Sequence, residues 1–165
     1  MPTPVGVSVD LRSAFRPASS SVWVLTTAHS SEPVGFTAIS VVSVSLDPPF
    51  VSFNISKTSS SLRAFFESRT FAAHLLADDQ EHVARTFSGP AAQRFAGAAA
   101  WSWDADGLPD LTGAVARLSG RLPSFVDVGD SLIALGEVTA VTSSDRVPLV
   151  HRDRTYAPAA VPVGA

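Results

Sequence analysis

The chain contains no cysteine and a single lysine, Lys57. Without cysteine there can be no disulfide, thiolate metal site or cysteine nucleophile, which suits a reducing compartment. Eleven of the twelve basic residues are arginine, a bias that GC-rich coding would produce, and it leaves Lys57 conspicuous. Charge is scarce: 16% of residues are charged and the net charge is −3, so a broad basic face for nucleic acid is excluded. No stretch approaches the roughly 20 apolar residues of a membrane span. The start, MPTPVGVSVDLRS, lacks the basic beginning and apolar core of a signal peptide, so a cytoplasmic protein is expected. The histidines His29, His74, His82 and His151 make neither an H-x-H nor an H-E-x-x-H pair, and no metal is expected. There is no G-x-S-x-G, G-x-G-x-x-G or Walker A sequence, which removes the nucleophile-elbow, Rossmann and P-loop classes.

What is present fits one domain of 165 residues with a core near 10–157 and loose ends at 1–8 and 158–165. A chain this long buries about 70% of its unfolded surface and needs no staple. Residues 9–15 suggest a short helix. Residues 21–27 are β-branched and aromatic and read as a strand. Residues 30–33 read as a turn, and 35–44 as a second strand with Thr37, Ile39 and Val41 on one side. Pro48 and Pro49 donate no ladder hydrogen bond and mark a break before a third strand at 50–55. A helix capped by Ser60 or Ser61 carries Leu62, Phe65 and Phe66 on one face. Residues 70–76 return to strand. A second helix opens with Asp78 and Glu81 at N-cap and N3 spacing and buries Val83, Ala84 and Phe87. Residues 88–107 read as a loop with a helical turn, and 111–123, 131–142 and 147–156 as strands. Many short strands with two inserted helices, not alternating as βαβ units, predict a mostly antiparallel β fold with α additions.

The stretch VSVSLDPPFVSFNISKTSSSL, residues 42–62, gathers Ser56, Thr58, Ser59 and Ser60 around Lys57 just before a predicted helix. A helix start carries unsatisfied N–H groups and positive dipole charge, so hydroxyls and one ammonium beside it suit a phosphate. A solvated serine-rich turn is the plainer alternative. His151, flanked by Arg152, Asp153 and Arg154, is the one histidine whose neighbours suggest function; His74 lies in an apolar strand and reads as a core residue. With no acid–base or nucleophilic set, an enzyme of this sequence depends on a bound cofactor for its chemistry.

Five segments, in order, carry a resemblance. They are Val22-Trp23-Val24-Leu25-Thr26-Thr27; Gly35-x-Thr37-x-x-Ser40 followed by Ser43-x-Ser45-Leu46-Asp47-Pro48-Pro49; Phe71 to Leu76 with Gln80, Ala84 and Phe87; Gly129-Asp130-Ser131; and Pro148 to Tyr156. Together, over about residues 10–157, they resemble the short-chain flavin reductase family, FMN-binding split barrels that serve as reductase components of two-component monooxygenases. The resemblance implies a split β-barrel of antiparallel, Greek-key-like strands. It implies that Thr37, Ala38, Ile39 and Ser40 line the flavin ring and that Leu46, Asp47 and Pro48 form a turn beside it. It implies that Asn54, Ser56, Lys57, Thr58, Ser59 and Ser60 hold the ribityl chain and phosphate, with Phe87, Ser88 and Arg94 near the outer end. Relatives carry Gly-Asp-His where this chain has Gly129-Asp130-Ser131, so Ser131 and His151 are the candidate catalytic residues.

The function implied is an NAD(P)H:flavin oxidoreductase. It passes hydride from NADH or NADPH to FMN, or FAD, and supplies reduced flavin to a partner monooxygenase. A cytoplasmic homodimer with no nucleic-acid or membrane partner is expected. The alternatives are a flavin-binding carrier or sensor without nicotinamide turnover, and an interaction domain that shares only the fold.

Overall fold

A computed structural model describes residues 9–97 and 99–160. A short helix, α1 (Arg12–Phe15), precedes a two-residue strand, β1 (Ser20–Ser21). Two hairpins follow, β2 (Trp23–His29) with β3 (Glu32–Ala38) and β4 (Val42–Leu46) with β5 (Pro49–Ser56). Then come α2 (Leu62–Ser68), β6 (Thr70–Leu75), α3 (Glu81–Ser88) and a 3₁₀ turn at Ala91–Gln93. The rest is strand: β7 (Trp101–Trp103), β8 (Pro109–Leu111), β9 (Ala116–Val128), β10 (Ser131–Ser143), β11 (Leu149–Arg152) and β12 (Thr155–Pro158). The mostly β, antiparallel architecture with added helices agrees with the sequence. The main sheet has seven strands in the order β3-β2-β6-β9-β10-β5-β4; β1-β11-β12 and β7-β8 form smaller sheets.

The edge strands explain the shape. β3 and β4 lie at opposite edges of the seven-stranded sheet, yet only residues 39–41 join Ala38 to Val42. Four Cα steps reach at most about 14 Å, whereas six inter-strand spacings of a flat sheet would measure about 29 Å. The sheet must therefore curl until its edges nearly meet. No ladder joins β3 to β4, so the sheet stays open in hydrogen bonding rather than closing into a barrel. The single strand expected over 35–44 is accordingly two strands on opposite edges, because the chain leaves one edge and joins the other.

Curling is built into β9 and β10, whose register shifts between Leu135 and Glu137 and again between Val138 and Ala140. Bulges of this kind bend a strand and deepen its twist. Inside the curl sit Leu25, Phe53, Ile55, Phe65, Phe71, Leu122 and Ala134. Phe53 meets Phe65 at 6.0 Å and Phe71 at 5.7 Å between ring centroids, spacings at which aromatic pairs attract. A second cluster, Val22, Val24, Leu76, Val83, Ala84, Phe87 and Leu149, lies between β2 and α3. β2 is buried on both faces, so Val24, Leu25, Thr26 and Thr27 are all buried in succession.

Several local expectations change. α2 buries Ala64 and Phe65, while Phe66 is exposed and packs on Phe125 with the Arg69 guanidinium over both rings. Ser61 holds the N-cap position, but its side chain makes no cap bond; it donates to the Gly35 carbonyl instead. Asp78 and Glu81 do not cap α3. Gln80 precedes the helix, accepts from the Ala77 N–H at 3.0 Å and donates to the Thr112 carbonyl at 2.9 Å. Within 88–107 lies β7, and β8 follows it, each only three residues and too short for a readable pattern. The strand expected at 147–156 is a hairpin turning at Asp153 and Arg154. At the C-terminal end β12 reaches Pro158, and the Ala159 N–H donates to the Pro148 carbonyl. Of the loose ends expected at 1–8 and 158–165, Pro158 and Ala159 are therefore joined to the fold, and 1–8 and 161–165 lie outside the described residues.

Candidate functional site

The split between the sheet edges is where polar backbone is left over. Residues 39–41 belong to no ladder, and among the described residues their N–H groups find no backbone acceptor. β4 pairs with β5 only as far as Val42 and Ser52, so Asn54, paired with Ile133 of β10 on one side, has no strand on the other. The Ser40 hydroxyl replaces that strand by accepting the Asn54 N–H at 3.1 Å. Ser40 thus anchors the peeled segment and leaves its amides free.

A cavity of about 540 Å³ opens at this split. Ile39, Ser40 and Asn54 line one side, with Ile39 about half exposed. His151 of β11 lines another and packs on Tyr156 with ring centroids 5.2 Å apart. Arg12, Phe15 and Arg16 of α1 and its flank, with Asp153 and Arg154 of the β11–β12 turn, complete the wall. Four residues named from the sequence, Ile39, Ser40, Asn54 and His151, therefore meet here although they come from distant parts of the chain.

Strand alternation sorts the others. Ser56 and Asn54 lie two apart on β5; opposite them on β10 are Ser131 and Ile133, and beyond these on β9 Val128 and Val126. Residues directly opposite share a face. Ser131 and Ser56 therefore stand on the face that carries Asn54. The Ser131 hydroxyl donates to the Asp130 carboxylate at 3.1 Å. Gly129 and Asp130 form the two-residue β9–β10 turn; Gly129 has φ 57°, the left-handed value that a tight hairpin asks of this position and glycine adopts without strain.

Lys57 behaves differently. Its ammonium donates to Asp127 Oδ1 at 2.6 Å and to the Gly129 carbonyl at 2.7 Å, so it clamps the β9–β10 turn. Around it the hydroxyls partly satisfy one another: Ser56 Oγ and Thr58 Oγ1 are 2.9 Å apart, and Ser59 Oγ accepts the Ser61 N–H.

The remaining candidates do not line the cavity. Leu46, Asp47 and Pro48 form the far tip of the β4–β5 hairpin, about 13 Å along the strand from Val42, with Leu46 exposed. Ala38 is buried, and the Thr37 hydroxyl donates to the Ala84 carbonyl at 2.7 Å. Phe87 is wholly buried in the second core cluster, and Ser88 Oγ donates to the Ala84 carbonyl. Arg94 is a brace: it donates to the carbonyls of Gly89 and Gly35 at 3.0 and 2.9 Å and to Ser61 Oγ at 3.1 Å. Sequence reasoning missed Arg12, Phe15 and Arg16. The only signal was the four-residue spacing of two arginines in a short helix.

The residues at the split suit a flavin. Free backbone amides and an apolar wall match a ring with an electron-rich edge, and the hydroxyls and single ammonium of the loop after β5 match a phosphorylated tail. Residues 15–160 match the family model of the flavin reductase like domain. The chain belongs to that family. This flavin reductase-like chain is similar to an NADH:FMN oxidoreductase of Rhodococcus qingshengii, 38% identical over 152 residues, covering 89% of this chain and 79% of that one. The reductase component of a flavin-dependent trigonelline monooxygenase from Acinetobacter baylyi is 36% identical over 91% of this chain, which spans 49% of that longer protein. Among solved structures, an NADH:FAD oxidoreductase of Streptomyces globisporus, in complex with NAD and FAD fragments, superposes with a TM-score of 0.87 at 31% identity, covering 93% of both chains. Among the described residues no helix of this flavin reductase is long and apolar enough to cross a membrane.

Proposed function

We propose that the protein is an NAD(P)H:flavin oxidoreductase, using FMN in preference to FAD, that hands reduced flavin to a separate monooxygenase. The observation that carries this reading is the break at residues 39–41, where a fold that otherwise pairs its backbone leaves consecutive amides beside a cavity. The similarity to an NADH:FMN oxidoreductase and to a monooxygenase reductase component supports the reaction and the partner class.

Flavin, when bound, supplies the N5 that takes hydride from nicotinamide C4, a transfer that needs no protein base. The chain's task is then to bind, orient and exclude water. Ile39 offers an apolar wall. The amides of 39–41 offer donors for the ring edge where negative charge grows on reduction. Asn54, Ser56, Thr58, Ser59 and Ser60 offer hydrogen bonds for the ribityl chain and phosphate, and Lys57 adds positive charge close by. Ser131 keeps a hydroxyl where relatives place an imidazole, and His151 supplies the imidazole present in the cavity wall.

We read the curled, open sheet as the split barrel of this family and the chain as one such domain. A homodimer follows from the outer face of β9, β10 and β5. There Val126 and Val128 are exposed and Ile133 and Leu135 half-buried, next to Asn54 and Ser56. A cytoplasmic location follows from the need for NAD(P)H. The test is to mix purified protein with FMN or FAD and follow NADH and NADPH oxidation. Turnover with free flavin is expected. Flavin binding without turnover would leave a carrier, and no binding of either flavin would refute the proposal.

A further inference from the structure

The cavity at the split has a second wall, lined by residues that the flavin reading above leaves unassigned. Arg12 and Arg16 lie one helical turn apart, on one face, and Arg154 reaches the same cavity from the β11–β12 turn. In a chain of net charge −3, three guanidinium groups and one acid, Asp153, line this space. Neither Arg12 nor Arg154 has an ion-pair partner among the described residues, and Arg16 has only Asp153, at 3.6 Å. All three arginines are exposed, so their charge is available to a ligand.

The two elements that carry them are tied together. The Asp153 N–H donates to the Arg16 carbonyl at 3.2 Å, so the β11–β12 turn is fastened to the end of α1. Asp153 and Arg154 have φ of 47° and 63°, left-handed values that cost a side-chain-bearing residue about 1 kcal/mol or more each. Asn or Gly would relieve that cost, yet this turn presents an arginine. The ladder of β11 with β12 and the tie to Arg16 hold it in place.

Resting on the reductase reading above, we propose that Arg12, Arg16 and Arg154 form the phosphate subsite for the nicotinamide dinucleotide, while the flavin phosphate is held elsewhere. Three cations on two joined elements match a diphosphate bridge better than a single terminal phosphate, and guanidinium groups pair with phosphate through parallel hydrogen bonds. The serine-rich loop after β5 is a separate place with its own ammonium, which leaves this rim for the second nucleotide.

The test uses ADP-ribose, which has the diphosphate but neither nicotinamide nor flavin, in calorimetric titrations of wild type, Arg12→Gln and Arg154→Asn. Asparagine tolerates the left-handed backbone, and both sites are exposed, so folding is preserved; far-UV circular dichroism verifies this. Each variant is expected to bind ADP-ribose about tenfold or more weakly and with a shallower salt dependence, while FMN affinity stays as in wild type. Undiminished ADP-ribose binding in both variants, no ADP-ribose binding by wild type, or loss of FMN binding instead would each overturn the proposal. If wild type binds ADP-ribose through these arginines but oxidises no NAD(P)H, the reductase reading fails and this subsite stands. If NADH is oxidised but the variants bind ADP-ribose normally, only the subsite fails.

Discussion

Lys57 shows how much one side chain can be asked to do. Its ammonium is committed to Asp127 and the Gly129 carbonyl, yet the ion pair is exposed, Asp127 more so than Lys57. An exposed pair of this kind contributes about 0–1 kcal/mol, so Lys57→Ala should leave stability nearly unchanged. If Lys57 also meets the flavin phosphate, the variant will lose FMN affinity more than riboflavin affinity in fluorescence titrations. Equal losses would assign the phosphate to other groups. His74 is the opposite case, wholly buried with both ring nitrogens used. Nδ1 sits 3.2 Å from the Val24 carbonyl, and Nε2 accepts the Leu111 N–H at 3.2 Å, which assigns the neutral ring. Burial pushes its pKa below the ordinary histidine value, outweighing the nearby Asp110 carboxylate. The unfolded chain therefore takes up this proton first. The stability that His74 contributes is present above pH about 6.5 and is lost as pH falls, by at most about 1.4 kcal/mol per pH unit. Urea midpoints at pH 7.5 and 5.5 should converge for His74→Asn relative to wild type. Parallel losses in both proteins would refute the account. The sequence placed His74 in the core from its apolar neighbours, but neither hydrogen-bond partner was legible, since Leu111 lies 37 positions away.

At the scale of elements, the β9–β10 pair shapes the sheet. A Cβ at Gly120 would lie 1.9 Å from the Glu137 carbonyl oxygen, a backbone atom that cannot step aside. Gly120 stands between the two register shifts, so β10 approaches β9 closely where the sheet bends. Gly120→Ala is expected to cost about 3 kcal/mol or more in chemical denaturation, beyond what an ordinary surface glycine would lose. A change under about 1 kcal/mol would mean that the bend relaxes freely. Which elements were legible follows from local chemistry. β2, β5, β6 and β10 carry β-branched and aromatic runs, whereas the strand expected at 111–123 is β9 at Ala116–Val128, which runs on to the Gly129-Asp130 turn. The β11–β12 turn uses Asp153 and Arg154 without glycine, so the hairpin was read as one strand. The expected caps failed because Ser61 and Asp78 found tertiary partners: Ser61 the Gly35 carbonyl, and the Asp78 N–H the Val147 carbonyl.

For the molecule as a whole, the outer face of β9 and β10 bears on assembly. If that face is the homodimer contact, Val126→Glu should shift the protein to monomer in sedimentation velocity and weaken flavin binding, because Ile133 and Asn54 continue the same row. A Val126→Glu dimer as stable as wild type would place the contact on another face. Composition and periodicity determined by themselves that the chain is mostly antiparallel β with two principal helices and carries no nucleophile-elbow motif. The order of the segments 22–27, 35–49 and 148–156 marked the family. Those properties are local or additive along the chain. Tertiary structure alone decided that 35–44 breaks at 39–41 and that Ser40 bonds Asn54. It also decided that Arg12, Arg16, His151 and Arg154 share one cavity with Ile39. Periodicity records which face of a segment is buried, but not which segments meet. The meeting depends on how far a seven-stranded sheet must curl for three residues to span its edges.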